Sequence, residues 1–272
     1  MMKINCISSI LIVLLFAGCQ KDTATITTAQ PGDKNTSEGS IMVGDQAFEG
    51  LNGLVFGQIS TSGLKAGTLG TCPSISATLN ASFPVSIAFD WGTGCTSVDD
   101  GIMRSGKITA SVSGMLNMES SVVTFTFSDF SSNGNKISGV HKITYLGLNA
   151  GNNWPRYAIF TEAKIEFPDN KFINYRAEYV RLQSEGSDTP LNISDDVWRI
   201  EGNSSGTTRE GIAWTASYPS AVVKKASCKW FSSGSVKITP DGDVSRTINY
   251  GDGTCDNKAT LTTGDTTIDI LL

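Results

Sequence analysis

The sequence predicts an all-β domain, an antiparallel sandwich or open barrel rich in hairpins and meanders, with one N-terminal helix packed on the sheet. Three observations lead there. Apolar and polar residues alternate in long runs: Val123, Phe125 and Phe127 against Thr124, Thr126 and Ser128, and Ile173, Tyr175, Ala177 and Tyr179 against Asn174, Arg176 and Glu178. Period two is the signature of half-buried strands. Turn-forming clusters separate the runs, among them Asn133-Gly134, Pro168-Asp169-Asn170, Ser204-Ser205-Gly206, Pro240-Asp241-Gly242 and Gly264-Asp265, which suits hairpins and not parallel βαβ units. One segment, residues 40–59, departs from period two, with Val43, Ala47, Leu51, Leu54, Val55 and Ile59 at helical spacing beside Gly50, Gly53 and Gly57. Three glycines cost a helix about 1 kcal/mol each relative to Ala, so this one needs tertiary contact to persist.

The last two hairpins can be read residue by residue. Pro240-Asp241-Gly242 suits a three-residue loop, Pro presetting φ and Gly supplying the left-handed position. That register pairs Ile238 with Val244 and puts Trp230, Val236 and Ile238 on one face with Val244, Ile248 and Tyr250. Continued outward, it sets Cys228 opposite Thr254, and a single bulge in Gly251-Asp252-Gly253 brings Cys228 to Cys255. A two-residue Gly264-Asp265 loop pairs Leu261 with Ile268 and Ala259 with Ile270.

Ahead of the domain, Lys3 precedes an apolar run over residues 10–16 that is too short for a lasting span, which needs about 20 apolar residues. Residues 1–18 read as a removable signal. Leu15-Phe16-Ala17-Gly18-Cys19 resembles the lipobox of bacterial lipoproteins, with Phe16 where Leu, Val or Ile is usual. That resemblance implies cleavage after Gly18 and a diacylglycerol on the Cys19 thiol, and two or three acyl chains anchor far more firmly than one. Residues 19–39 read as a lipidated flexible tether, too poor in apolar residues to offset chain entropy, with a reach of about 25 Å. Gln20-Lys21-Asp22 resembles the surface-export signal of Bacteroidota lipoproteins, and Asp22-Thr23-Ala24 fits their O-glycosylation pattern with Thr23 as acceptor. Residues 40–272 remain as one domain.

Of six cysteines, Cys6 leaves with the signal and Cys19 takes lipid, so Cys72, Cys95, Cys228 and Cys255 are left. An even number in an exported domain points to disulfides. Ile87-Ala-Phe-Asp-Trp-Gly-Thr-Gly-Cys95 resembles Ile248-Asn-Tyr-Gly-Asp-Gly-Thr-Cys255, each following an earlier Cys by a hairpin's length. The expected pairs are therefore Cys72–Cys95 and Cys228–Cys255. Four buried free thiols are the alternative, and zinc fits poorly without a Cys-x-x-Cys pair.

Removing the signal takes away one charge, Lys3, and leaves 20 basic against 26 acidic side chains. With no basic cluster to neutralise phosphates, nucleic acid is not an expected partner. His141 is the single histidine, which excludes multi-histidine metal centres. On its strand it alternates with Ile143 and Tyr145, whereas a two-residue Asn133-Gly134 hairpin sets it opposite Thr126 on a polar row; the pattern leaves both open. Ser62-Gly-Leu-Lys65 has the spacing of penicillin-binding serine enzymes without their Lys-Thr-Gly and Ser-Asp-Asn motifs. Asp99-Asp100, Asp195-Asp196 and Asp241-Gly-Asp243 carry calcium-type oxygens but suit turns better. Trp91, Trp154, Trp198, Trp214 and Trp230 form the candidate ligand-stacking set, with core packing as their competing fate.

From Cys72 onward the chain resembles a group of Bacteroidota lipoproteins without an assigned activity. The likeness rests on Phe89-Asp-Trp-Gly-Thr-Gly-Cys95, Asn133-Gly-Asn-Lys-Ile-Ser-Gly139, Asp188-Thr-Pro-Leu-Asn192 ahead of Asp195-Asp196, and Tyr250-Gly-Asp-Gly-Thr-Cys-Asp-Asn-Lys-Ala259. It implies fold and compartment and transfers no catalytic residue. The expected function is a lipid-anchored outer-membrane β protein, periplasmic or cell-surface, that binds a ligand or supports an envelope assembly without catalysis or cofactor. Its expected partners are the membrane, through the lipid, and a glycan or envelope protein. A glycan-binding accessory of a polysaccharide uptake system is the second reading, and a carboxylate-based glycoside hydrolase the third.

Overall fold

The computed structural model describes residues 35–60, 63–64, 72–78, 82–97, 101–115, 117–189 and 192–272. One helix, α1 (Ser37–Gln58), is followed by β1 (Ile59–Ser60), β2 (Gly63–Leu64), β3 (Ser74–Thr78), β4 (Val85–Asp90), β5 (Cys95–Thr96), β6 (Met103–Val112), β7 (Val122–Ser132) and β8 (Asn135–Leu148). Then come β9 (Pro155–Glu166), β10 (Phe172–Glu185), β11 (Val197–Thr207), β12 (Ala213–Lys225), β13 (Ser233–Pro240), β14 (Arg246–Asp252), β15 (Lys258–Thr263) and β16 (Thr266–Leu271). β1 and β2 pair with each other, and the other strands form one 14-stranded antiparallel sheet in chain order, with β5 beside β6. The expected antiparallel, hairpin-rich meander with one helix is present, as a single open sheet whose end strands are β3 and β16.

Alternation makes one face of this sheet the core. On β10, Ile173, Tyr175, Ala177, Tyr179 and Arg181 are buried while Asn174, Arg176 and Glu178 face out. The inner face curls around α1. Phe48 packs on Phe127 of β7, His141 of β8 and Tyr175 of β10, with ring centroids 6.4, 5.0 and 5.8 Å away, and Phe56 meets Tyr157 of β9 and Trp198 of β11. Glu38 reaches Arg246 of β14.

α1 begins inside the segment expected to be tether. Thr36 caps it, its Oγ1 accepting from the Gly39 N–H at 3.0 Å, and Glu38 lies in the first turn, where the helix dipole favours an acid. The buried stripe also differs from the expected one. Ile41, Asp45, Phe48, Leu51 and Asn52 face the sheet, whereas Val43, Ala47 and Leu54 are only partly buried. The helix glycine in close contact with the sheet is Gly44: a Cβ there would lie 2.1 Å from Tyr175 Cδ2, whereas one on Gly53 would meet nothing within 4 Å.

Local irregularities settle the open registers. β7 carries an extra residue against both neighbours, between Ser128 and Ser131, where Asp129 takes φ +46°. This bulge changes the Asn133-Gly134 hairpin's pairing, so His141 stands opposite Phe125 and not Thr126, on the core row with Ile143 and Tyr145. The last hairpin pairs Leu261 with Ile268 and Ala259 with Ile270, as expected. The one before it differs: Ile238 pairs with Arg246, and Val236 with Ile248. The loop is two residues longer than expected, Val244 is exposed, and Arg246 takes the inward position because Glu38 is there to receive it at 3.0 Å. One extra residue between Asn249 and Asp252 of β14 is the predicted kind of bulge, slightly earlier than expected. Cys72–Cys95 and Cys228–Cys255 are disulfide-bonded, with Cα separations of 5.9 and 5.6 Å.

Candidate functional site

The chemically distinctive region is the seat of α1. Residues 38, 45, 49 and 52 recur every three to seven positions, which places them along the inward side of the helix. Each meets a partner from the sheet. Gly44 lets the Tyr175 ring lie against the helix backbone, which brings its hydroxyl to Asp45. That hydroxyl donates to Asp45 Oδ1 at 2.5 Å, Tyr179 donates to the same oxygen at 3.0 Å, and Tyr218 lies 3.5 Å from Oδ2 while donating to Tyr179 at 2.6 Å. Burial pushes the Asp45 carboxyl up from 3.8 to about 7; the tyrosine hydrogen bonds oppose that rise and the charge of Glu49 adds to it. Burial and the Asp45 charge raise the tyrosines Tyr175, Tyr179 and Tyr218 well above the ordinary phenol value, so their hydroxyls stay protonated.

One helical turn along, Arg181 of β10 donates to both Glu49 carboxylate oxygens at 2.8 Å, and its guanidinium lies 4.7 Å from the Trp198 ring centroid. Asn52 donates to Glu49 at 3.3 Å and accepts, through Oδ1, from His141 Nε2 at 3.0 Å. Thr161 of β9 sits 2.8 Å from His141 Nδ1. With Nε2 donating to an amide oxygen, Nδ1 is left to accept from the Thr161 hydroxyl, which is the neutral tautomer. Burial, and secondarily the charge of Arg181, lower the imidazole from 6.5 to about 3.

These groups hold and position protons but do not face solvent. Asp45, Asn52, His141, Tyr175 and Arg181 are each at most 5% exposed, so the network ties α1 to the sheet from within. Reading for apolar periodicity missed Asp45, Glu49, Asn52 and Arg181. The available signal was polar side chains at helical spacing around Phe48, in phase with Leu51.

The stacking set does not assemble. Trp91, Trp198 and Trp214 are buried at 3%, 5% and 2% exposure, because each takes an inward position: Trp91 packs on Phe89 and Phe130, Trp198 on Phe56 and Tyr157, and Trp214 on Tyr175. Trp154 and Trp230 are half-buried. Trp154 lies in the turn between β8 and β9, its N–H bonded to Asn149. Trp230 stands outside the ladder expected to hold it, under Lys229. Of the paired acids, Asp195 and Asp196 lie in the connection between β10 and β11, and Asp241 and Asp243 in the loop before β14. Asp195 accepts from Thr189 and Asn192 at 2.8 and 3.0 Å. Asp196, bonded to Gln183, is raised to about 6, chiefly by burial. Asp243 pairs with Arg246. Among the described residues no group of three or more His, Cys, Asp or Glu is placed to hold a metal ion, and no helix is long and apolar enough to cross a membrane. Cys19, Thr23, Ser62, Lys65, Asp99 and Asp100 lie outside the described residues.

The opposite face of the sheet is polar. Across β10 to β13 the register aligns two outward rows, Arg176–Ser205–Thr215–Thr239 and Glu178–Asn203–Ser217–Lys237, and a groove of about 380 Å³ runs over them. No family profile matches the chain, and no curated protein or solved structure is similar to it.

Proposed function

We propose that this chain is a lipid-anchored envelope protein whose β domain binds or supports other envelope components through its outer surface, without catalysing a reaction. The observation that carries the non-catalytic reading is where the most strongly perturbed groups sit: the Asp45 carboxyl, the His141 imidazole and the Tyr175 and Tyr179 phenols are spent on seating α1 and are buried. Anchoring is supported by the lipobox-like Leu15–Cys19 stretch and export by the two disulfides. Replacing Cys19 with Ser tests the anchor. The wild type should carry the mass of a diacylglycerol and fractionate with membranes, and the variant should lose both. A soluble, unlipidated wild type would sink the proposal.

A second reading, a glycan-binding accessory, is favoured by the groove on the outer face. It separates from a glycoside hydrolase by incubation with polysaccharides. Retention without release of reducing ends supports the accessory, and released reducing ends support the hydrolase.

A further inference from the structure

We infer that the rim formed by the β9–β10, β11–β12 and β13–β14 hairpins lies against the lipid surface and inserts its apolar tips between the headgroups, an orientation that rests on the lipid-anchor reading above. In an antiparallel meander alternate hairpins turn at the same end, so residues 167–171, 208–212 and 241–245 share one rim of the sheet. In or beside each turn a large apolar side chain is held out to solvent: Phe172 at 42%, Ile212 at 48% and Val244 at 58% exposure. Met103, also exposed, joins them at the start of β6, where its carbonyl accepts from the Asn133 N–H of the β7–β8 turn. The three tips are braced against one another. Lys171 pairs with Glu210 at 3.1 Å, Arg209 pairs with Asp169, and the Asp241 N–H donates to the Ala213 carbonyl at 2.8 Å. Exposed apolar groups gathered on one part of a surface mark a place of contact.

The point where the chain enters the domain selects lipid as the occupant. The opposite rim also exposes apolar residues, among them Met115, Met118 and Leu148, so apolarity alone does not choose between the two ends. Glu38, in the first turn of α1, lies 3.0 Å from Arg246, which opens β14 and pairs with Asp243 in the same loop as Val244. Phe56, near the other end of the helix, meets Tyr157 and Trp198 close to the starts of β9 and β11, at the opposite rim. Thr36 follows Cys19 by 17 residues, and a coil of that length spans about 20–25 Å. The 22 residues of α1 add about 33 Å before the opposite rim is reached. A lipid on Cys19 therefore keeps the Val244 rim beside the headgroups at high effective concentration and the other rim beyond them. Charge favours a zwitterionic surface. Lys171, Arg209 and Arg246 are each paired with an acid, and Asp241 and Asp265 are exposed on the same rim, so anionic headgroups add no attraction. What remains is burial of the apolar tips, and such binding scales with the apolar area buried.

The test couples the mature chain through the Cys19 thiol to a maleimide lipid in phosphatidylcholine vesicles that contain a diazirine-tailed phosphatidylcholine, and maps the photocrosslinks by mass spectrometry. Crosslinks should concentrate on the peptides carrying Phe172, Ile212 and Val244, exceed those on the peptides carrying Met115, Met118 and Leu148 by about tenfold, and persist from low to high salt. Ile212→Asp combined with Val244→Asp, both at exposed positions, should cut the rim crosslinks by about tenfold with an unchanged melting temperature, while the chain stays on the vesicles through residue 19. Crosslinks that fall equally on both rims, mainly on the opposite rim, or only ahead of Thr36 overturn the orientation and leave the anchor reading standing. So do rim crosslinks that survive the double substitution. The mass of the protein made in its own cells decides the anchor separately: a chain without diacylglycerol on Cys19 overturns that reading and this orientation with it.

Discussion

Asp45 and His141 make opposite demands on pH, and separating them tests the whole account of the α1 seat. Asp45 holds its proton up to about pH 7 in the native state and only to about 3.8 when unfolded. Raising the pH between those values therefore removes stability, because the unfolded chain has already released a proton the native protein still binds. His141 refuses a proton down to about pH 3 in the native state, whereas the unfolded imidazole takes one up near 6.5. Its contribution is complete above 6.5 and is lost as the pH falls toward 3. At about 1.4 kcal/mol per unit, each effect is on the order of 4 kcal/mol. Over the shared window from 3.8 to 6.5 they cancel in the wild type, since unfolding hands one proton from Asp45 to His141. Single substitutions uncover each slope. Asp45→Asn keeps an acceptor for Tyr175 and Tyr179 but does not titrate. Its stability relative to wild type should improve by roughly 4 kcal/mol between pH 4 and 7. His141→Gln should improve relative to wild type by a similar amount as the pH falls from 6.5 to 3.5. Urea unfolding followed by tryptophan fluorescence at half-unit pH steps measures both, Trp198 and Trp214 reporting on the core. Offsets from wild type that are constant across this range would refute the buried, oppositely shifted pair.

Three further expectations follow from the same contacts. Gly44→Ala drives a methyl into the Tyr175 ring and should cost about 1–3 kcal/mol, whereas Gly53→Ala, with nothing within 4 Å of the new Cβ, should gain up to about 1 kcal/mol; thermal melts that rank the two in reverse would show that α1 does not rest on Tyr175. Glu49→Gln leaves Arg181 buried without its carboxylate and should cost about 3 kcal/mol, while Glu49→Leu combined with Arg181→Met should recover most of that. Additive losses in a double-mutant cycle would speak against the pair. Replacing Cys228 and Cys255 together by Ser opens a loop closed over a sequence separation of 27 and should lower denaturant stability by about 3–4 kcal/mol; in the wild type, non-reducing peptide mapping should find Cys72 crosslinked to Cys95 and not to Cys255.

The strands were legible in the sequence where local rules decide. The Gly264-Asp265 loop fixes the register of β15 on β16 by its length alone, and Leu261 meets Ile268 as read. Cys228 and Cys255 were legible as partners because a hairpin joins them. Reading failed where a distant residue chooses. Apolar pattern alone sends Val244 inward, but the space beside Ile238 belongs to Arg246, whose charge is received by Glu38 over 200 residues away. His141 could not be placed because its face depends on an extra residue at Asp129, and nothing in the local alternation announces that bulge.

The helix shows the same division most clearly. Its existence is legible from spacing, but of the expected stripe of Val43, Ala47, Leu51, Leu54, Val55 and Ile59 only Leu51 is among the described residues found buried against the sheet. The stripe that faces the sheet carries Asp45, Glu49 and Asn52, which count against burial until Tyr175, Arg181 and His141 are in place. Buried polar groups cost several kcal/mol when unpaired and little when satisfied. The preference of α1 for this face is therefore a property of the assembled sheet, and no window of its own sequence contains it. The outer groove has the same character. Ser205, Thr215 and Ser217 are unremarkable strand residues in sequence, and they become one surface only because register sets β11 beside β12 and Arg176 and Lys237 at its margins.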